Sequence, residues 1–187
     1  FNGLISAAMG VPYAVQPIEE RFGFFFTYEG KGMDLETIYQ MGRKLTGIKQ
    51  NVLNREFLIN ASLFLYTSEE KIAHAFSSPY FQLVLGRSGD LASVRQITTM
   101  VYPEEKSQLT KLRGTLVPLN NPDTTDKEIF VLAAPIQALP RSFDHGLPRR
   151  NIGTAPFYIL DKTHTQQTAI PAKGIHDEGL GIDIFWQ

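Results

Sequence analysis

The sequence predicts an α+β protein: a ferredoxin-like domain with a thumb-like hairpin insertion, followed by a β-rich C-terminal subdomain. Three observations predict it. The first 110 residues alternate helix-like and strand-like patterns in the order helix, strand, insert, strand, helix, strand, which matches a βαββαβ unit lacking its first strand. A concentration of cations interrupts that order between two strands. After about Arg113 the texture changes to short β-prone runs separated by loops rich in Pro, Asp, Asn and Gly. The expected boundaries are 1–110 for the first domain, with the insertion at about 42–56, and 111–187 for the second.

Taken in order, Asn2 to Gly10 packs small and apolar residues with Leu4 and Ala8, and Ile5 and Met9, at helical spacing. Gly10 and Pro12 supply the stop. Phe22 to Tyr28 is aromatic and reads as a strand, which Gly30 and Gly32 end. Met33 to Leu45 carries Leu35, Ile38, Met41 and Leu45 at helix-like intervals, with Asp34 as a possible N-cap. Phe57 to Tyr66 reads as one strand, with Phe57, Ile59, Ala61, Leu63 and Leu65 on one face. Ser68 is expected to cap a helix from Glu69 to Phe76, with Ile72, Ala73 and Phe76 as its buried stripe. Pro79 then breaks the chain before strands at Phe81–Leu85 and Val94–Tyr102. In the second half, strands are expected at Leu116–Leu119, Ile129–Ala134, Phe157–Leu160 and Ile182–Trp186. The absent first strand would lie mid-sheet, so this topology expects a further strand before Phe1, and the start at Phe1 reads as clipped.

Composition limits the chemistry. The 187 residues are 43% hydrophobic and 20% charged, which suits a globular domain able to bury a core. No apolar run approaches the roughly 20 residues that span a bilayer, so no membrane role is expected, and no signal-peptide pattern is present. The absence of cysteine excludes disulfides, thiolate metal sites and cysteine nucleophiles. A formal net charge of −1 argues against a sequence-independent nucleic-acid binder with a basic surface. Nucleic acid would have to be held at a local patch or within an assembly. The four histidines, His74, His145, His164 and His176, show no metal-ligand spacing, and no metal or cofactor is expected.

Two segments could carry chemistry. Between Gly42 and Phe57 lie Arg43, Lys44, Lys49 and Arg55 against Glu56 alone, with Gln50 and Asn51 as amides suited to base edges or 2′-hydroxyls. The segment reads either as such an interface or as a solvated loop. The second segment is Leu85-Gly86-Arg87-Ser88-Gly89-Asp90-Leu91-Ala92, preceded by Tyr80. Gly86, Arg87 and Ser88 could form a phosphate cradle oriented by Asp90; the other reading is a tight β-turn in which Asp90 pins Arg87. Tyr28, Lys31 and His74 supply the residue types of a metal-independent ribonuclease, without a spacing that joins them.

Together, three stretches resemble the Cas-five family of CRISPR-associated proteins, the RAMP-type subunits of type I Cascade complexes. They are Phe1 to Gly10, Asn51 to Asn60, and Ser78 to Ala92 with its Leu-Gly-Arg-Ser-Gly-Asp-Leu-Ala run. The resemblance implies an RRM/RAMP-type ferredoxin-like domain. It implies a non-catalytic cytoplasmic subunit that holds the 5′ handle of crRNA, caps the backbone subunit, meets the large subunit and reaches target DNA only through the complex. By the same resemblance, Arg43 to Arg55 would form the thumb and its base, and Gly86 to Ser88 would line the handle site. Because one branch of the family cleaves precursor crRNA without metal, an endoribonuclease is the alternative.

Overall fold

The structure, a computed structural model, describes residues 2–11, 21–41, 48–86, 89–101, 103–119, 132–144, 150–166 and 168–186. These residues form twelve strands and two helices of eight residues each. The chain divides into two compact units, one made of Phe1–Phe25 with Leu65–Gln187 and the other of Phe26–Phe64. It leaves the first unit along β1 (Phe22–Thr27) and returns along β4 (Ser62–Thr67), two strands that pair with each other.

In the first unit, α1 (Asn2–Met9) ends where expected. Gly10 turns left-handed at φ 71°, and its N–H donates to Ser6 O at 2.9 Å. The next carbonyls, Ala7 and Ala8, accept from the N–H groups of Phe81 and Tyr80, both at 3.0 Å. The groups left over at the helix end are thus satisfied by a distant segment. α2 (Glu70–Ser77) buries Ile72 and Phe76 against Ile5, Ala8 and Leu83. Burial of each large apolar side chain in such a cluster is worth about 1.5–3 kcal/mol. Ser68 does not cap this helix; Glu69 holds the N-cap position, and its N–H donates to Thr67 Oγ1 at 3.1 Å.

Three further sheets belong to this unit. β5 (Leu83–Val84) and β6 (Leu91–Ala92) form a small hairpin. β8 (Thr115–Pro118), β10 (Arg150–Leu160) and β9 (Ile136–Asp144) pair in that order. β12 (Ile182–Phe185), β11 (Ile170–Asp177) and β7 (Glu104–Leu109) form the last sheet, also antiparallel. Leu109, Leu112, Val117, Tyr158, Leu160, Ile170 and Phe185 share one core cluster, and Phe25, Ile175, Ile182 and Ile184 another.

The second unit is a long hairpin. β2 (Gly30–Met41) runs antiparallel to β3 (Ile48–Ile59) through twelve register pairs, from Gly30 opposite Ile59 to Met41 opposite Ile48. Of the buried hydrophobic residues described, only Tyr28 belongs to this unit.

These observations correct the expected fold. The chain is mostly β, built of small sheets with two short helices, and not an α+β ferredoxin-like RAMP domain. The helix expected over Met33–Leu45 is strand as far as Met41, because residues 48–59 offer a partner along its whole described length. The single strand expected at Phe57–Tyr66 is two, divided at Asn60, whose φ of 49° is a left-handed turn that asparagine tolerates. Its side-chain amide donates to Glu29 Oε2 at 2.7 Å. No strand forms at 93–101, where Val94, Ile97 and Val101 are exposed. The strand expected at Ile129–Ala134 lies mostly outside the described residues, and 132–134 are not strand. Strands at 115–118, 150–160 and 182–185 cover the remaining expectations, the second far longer than expected.

Gly174 packs its α-carbon against β12. A β-carbon there would sit 2.1 Å from Ile184 O and 2.9 Å from Leu109 Cδ2, and neither the strand backbone nor the core leucine has room to move. Gly174→Ala is therefore expected to destabilise the protein by about 1–3 kcal/mol, read as a lowered denaturation midpoint in urea with an unchanged slope.

Candidate nucleic-acid interface

Pairing register sorts the hairpin side chains into two faces, because residues opposite one another point the same way and successive residues alternate. One face carries Asp34, Glu36 and Ile38 on β2 and Asn51, Leu53, Arg55 and Phe57 on β3. The other carries Lys31, Met33, Leu35, Thr37 and Tyr39 opposite Leu58, Glu56, Asn54, Val52 and Gln50. Met33, Leu35, Tyr39 and Val52 on this second face are each at least half exposed.

Charge is unevenly distributed along the hairpin. Arg55 is paired with Glu36, its diagonal neighbour, and has Asp34 directly opposite in register. Lys31 Nζ lies 3.1 Å from Glu56 Oε1. These exposed pairs add little stability, about 0–1 kcal/mol each, but they neutralise both described cations of the shaft. With Glu29, Asp34, Glu36 and Glu56 against Lys31 and Arg55, the shaft is acidic. Arg43, Lys44 and Lys49 have no acidic residue between 37 and 55 to oppose them.

The expected site residues fall as follows. Arg43 and Lys44 lie outside the described residues, in the stretch that joins β2 to β3. Lys49 is in β3 opposite Gln40, at the end next to that stretch. Gln50 and Asn51 are exposed and sit on opposite faces. Asn51 Oδ1 accepts from Val52 N–H at 3.0 Å, which leaves its amide nitrogen for another acceptor. Tyr80 is largely exposed, with its ring edge-on to Phe81 at 4.8 Å and packed over Gly10. Gly86 is left-handed at φ 99° with open space where a β-carbon would be, and Leu85 N–H donates to Asp90 O at 2.9 Å across the same turn. Arg87 and Ser88 lie outside the described residues. The 43–55 segment thus belongs to the hairpin unit, and Tyr80 with 86–90 belongs to the other.

The ribonuclease candidates are divided in the same way. Lys31 Nζ stands 5.8 Å from the ring centroid of the buried Tyr28, in the hairpin unit. His74 is on α2 in the other unit, exposed and 3.7 Å from Glu70. Among the described residues no group of three or more His, Asp or Glu side chains is arranged to hold a metal ion.

The tightest polar cluster among the described residues was missed by sequence reasoning. Asp183, fully buried on β12, accepts from Thr110 N–H at 2.7 Å and Lys111 N–H at 3.0 Å. It also meets Lys106 Nζ at 3.1 Å and His176 Nδ1 at 2.7 Å. Burial opposes its charge, but these hydrogen bonds outweigh burial and hold its pKa down, from 3.8 to about 2. The signal for His176 was present: Gly179 and Gly181 mark a hairpin turn, and counting outward from it places His176 opposite Asp183. With its carboxylate enclosed and fully committed, this cluster staples β7, β11 and β12 together.

No protein-family model matches the chain, and no curated protein matches it. No helix among the described residues is long and apolar enough to cross a membrane.

Because the folded pKa of Asp183 is depressed, its contribution to stability is complete above about 4 and is lost as pH falls towards 2. Asp183→Asn is expected to cost about 3 kcal/mol at pH 7, since it strands Lys106 and His176 in a largely buried site. The variant should also show a flatter stability curve than the parent between pH 4 and pH 2, measured by chemical denaturation across that range.

Proposed function

We propose that this chain is a non-catalytic RNA-binding subunit that grips the 5′ handle of a crRNA in a type I CRISPR surveillance complex. In this reading it works in the cytoplasm beside the backbone and large subunits and reaches target DNA only through the assembly. The observation that carries the reading is the exposed β2–β3 ribbon, whose sequence from 38 to 54 holds Arg43, Lys44 and Lys49 and no acidic residue, while the described cations of its shaft are paired with carboxylates. The resemblance implies a thumb at about 42–56, whereas the ribbon runs from Gly30 to Ile59, and the ferredoxin-like sheet implied with it is not formed, so the proposal rests on the hairpin and its charges.

Arg43, Lys44 and Lys49 are the phosphate contacts in this proposal. Gln50 and Asn51, next along β3, offer amides to bases or riboses. Arg55 is a weaker candidate than the sequence suggested, because Glu36 already occupies it. The Gly86 turn is the second contact, where an open left-handed backbone adjoins Arg87 and Ser88. A few such contacts suit a near-neutral chain, with the remaining affinity supplied by neighbouring subunits.

Fluorescence anisotropy with a labelled handle RNA across a salt series tests the proposal. Lys49→Ala, Arg43→Ala and Arg87→Ala should each weaken binding and reduce the salt slope by about 0.7. Arg55→Ala should change the slope much less. Precursor repeat RNA incubated with the protein in EDTA should remain intact. Specific cleavage, or parental salt slopes in all three variants, would overturn the assignment.

A further inference from the structure

We infer that Tyr39 is a stacking platform for an unpaired RNA base, with Gln50 beside it to meet the edge of that base. This deepens the proposed function and rests on it. Tyr39 and Gln50 face each other in register across the ribbon, so their side chains rise side by side from one face. Both are exposed, the tyrosine by 66%, and among the described residues neither side chain has a hydrogen-bond partner. Below them on the same face Thr37 pairs with Val52, both smaller than the tyrosine and both exposed.

Position along the ribbon selects this tyrosine. The pair Gln40–Lys49 follows immediately, then Met41–Ile48 and the connection carrying Arg43 and Lys44. Asp34 and Glu36 lie on the opposite face and Glu56, the acidic residue on this one, is already paired with Lys31, so a strand of RNA on this face is drawn to those cations rather than to the shaft. Its backbone therefore crosses near the tip, and the first aromatic ring within reach of its bases is Tyr39. Any base offers a π-face, so the platform tolerates sequence. Gln50, with one acceptor and two donors, adds a preference without requiring one base. The apolar stripe lower on this face, Met33 and Leu35, offers the competing reading, in which Tyr39 extends a protein-facing surface.

The test uses the full chain with a fluorescein-labelled oligouridine decamer and a second decamer of abasic ribose-phosphate units. Tyr39→Ala should weaken the oligouridine complex by about tenfold and leave its salt slope unchanged, whereas Tyr39→Phe should bind like the parent. The abasic decamer should bind parent and Tyr39→Ala equally. Equal affinity of parent and Tyr39→Ala for oligouridine, with Lys49→Ala still reducing the salt slope, would overturn the stacking role and leave the cationic tip standing. Salt-independent, negligible binding of both decamers by the parent would overturn the platform and the proposed function together.

Discussion

Register in the β2–β3 ribbon governs everything else in the hairpin unit. Side chains alternate with a period of two, so a slip of one residue in either strand would move that strand's whole set of side chains to the opposite face. Tyr39 would lose Gln50 as its opposite number, and Lys31 and Arg55 would lose the diagonal geometry that brings them to Glu56 and Glu36. The two ion pairs are worth little as energy, but both vanish in the slipped register. They therefore favour one alignment of a ribbon in a unit where, among the described residues, Tyr28 is the one buried hydrophobic side chain. Gly32 adds a second constraint: the Phe57 ring lies where a β-carbon would project, which a slipped register would not allow.

The same pairing explains why the sequence misleads here. Residues 33–45 carry two periods at once. Leu35, Ile38, Met41 and Leu45 follow a helix, while Met33, Leu35, Thr37 and Tyr39 follow a strand. Local pattern cannot choose between them. The choice is made by residues 48–59, which supply hydrogen bonds to the whole described stretch, and Thr37, Ile38 and Tyr39 suit the pleated surface better than a helix. The surroundings of Arg55 were hidden for a related reason. Its charge is visible in the sequence, but its commitment to Glu36, nineteen positions earlier, exists only once the strands are aligned.

In the other unit, what was legible had local punctuation. Gly10 closes α1, and the Ile72–Phe76 stripe before Pro79 marks α2. What was hidden depended on partners far along the chain. β7 has the polar sequence Glu-Glu-Lys-Ser-Gln-Leu and is a strand because β11 pairs with it from residue 170 onward. β9 contains Pro140, which argues against a central strand but is acceptable at the outer position it occupies beside β10. Val94–Tyr102 shows the converse case. Its described part, 94–101, has strand-like residues and no partner, and it stays out of every sheet.

Separation of charge along the ribbon also sets how the tip would behave as an anion site. Glu36 and Gln40 are four residues apart, about 13 Å along a strand, whereas the screening length is about 10 Å at 0.1 M salt. At low ionic strength the acidic shaft therefore offsets part of the field of Arg43, Lys44 and Lys49. Near physiological salt the two regions act almost independently. Added salt then has two opposing effects on an approaching polyanion: it displaces the counterion advantage at the tip and removes repulsion from the shaft. Contacts at the tip dominate because they are direct, while the repulsion acts at a distance and is the first to be screened. Under the proposed function, a ribbon patterned in this way would hold a polyanion at its end, and a chain of net charge −1 would need no basic surface.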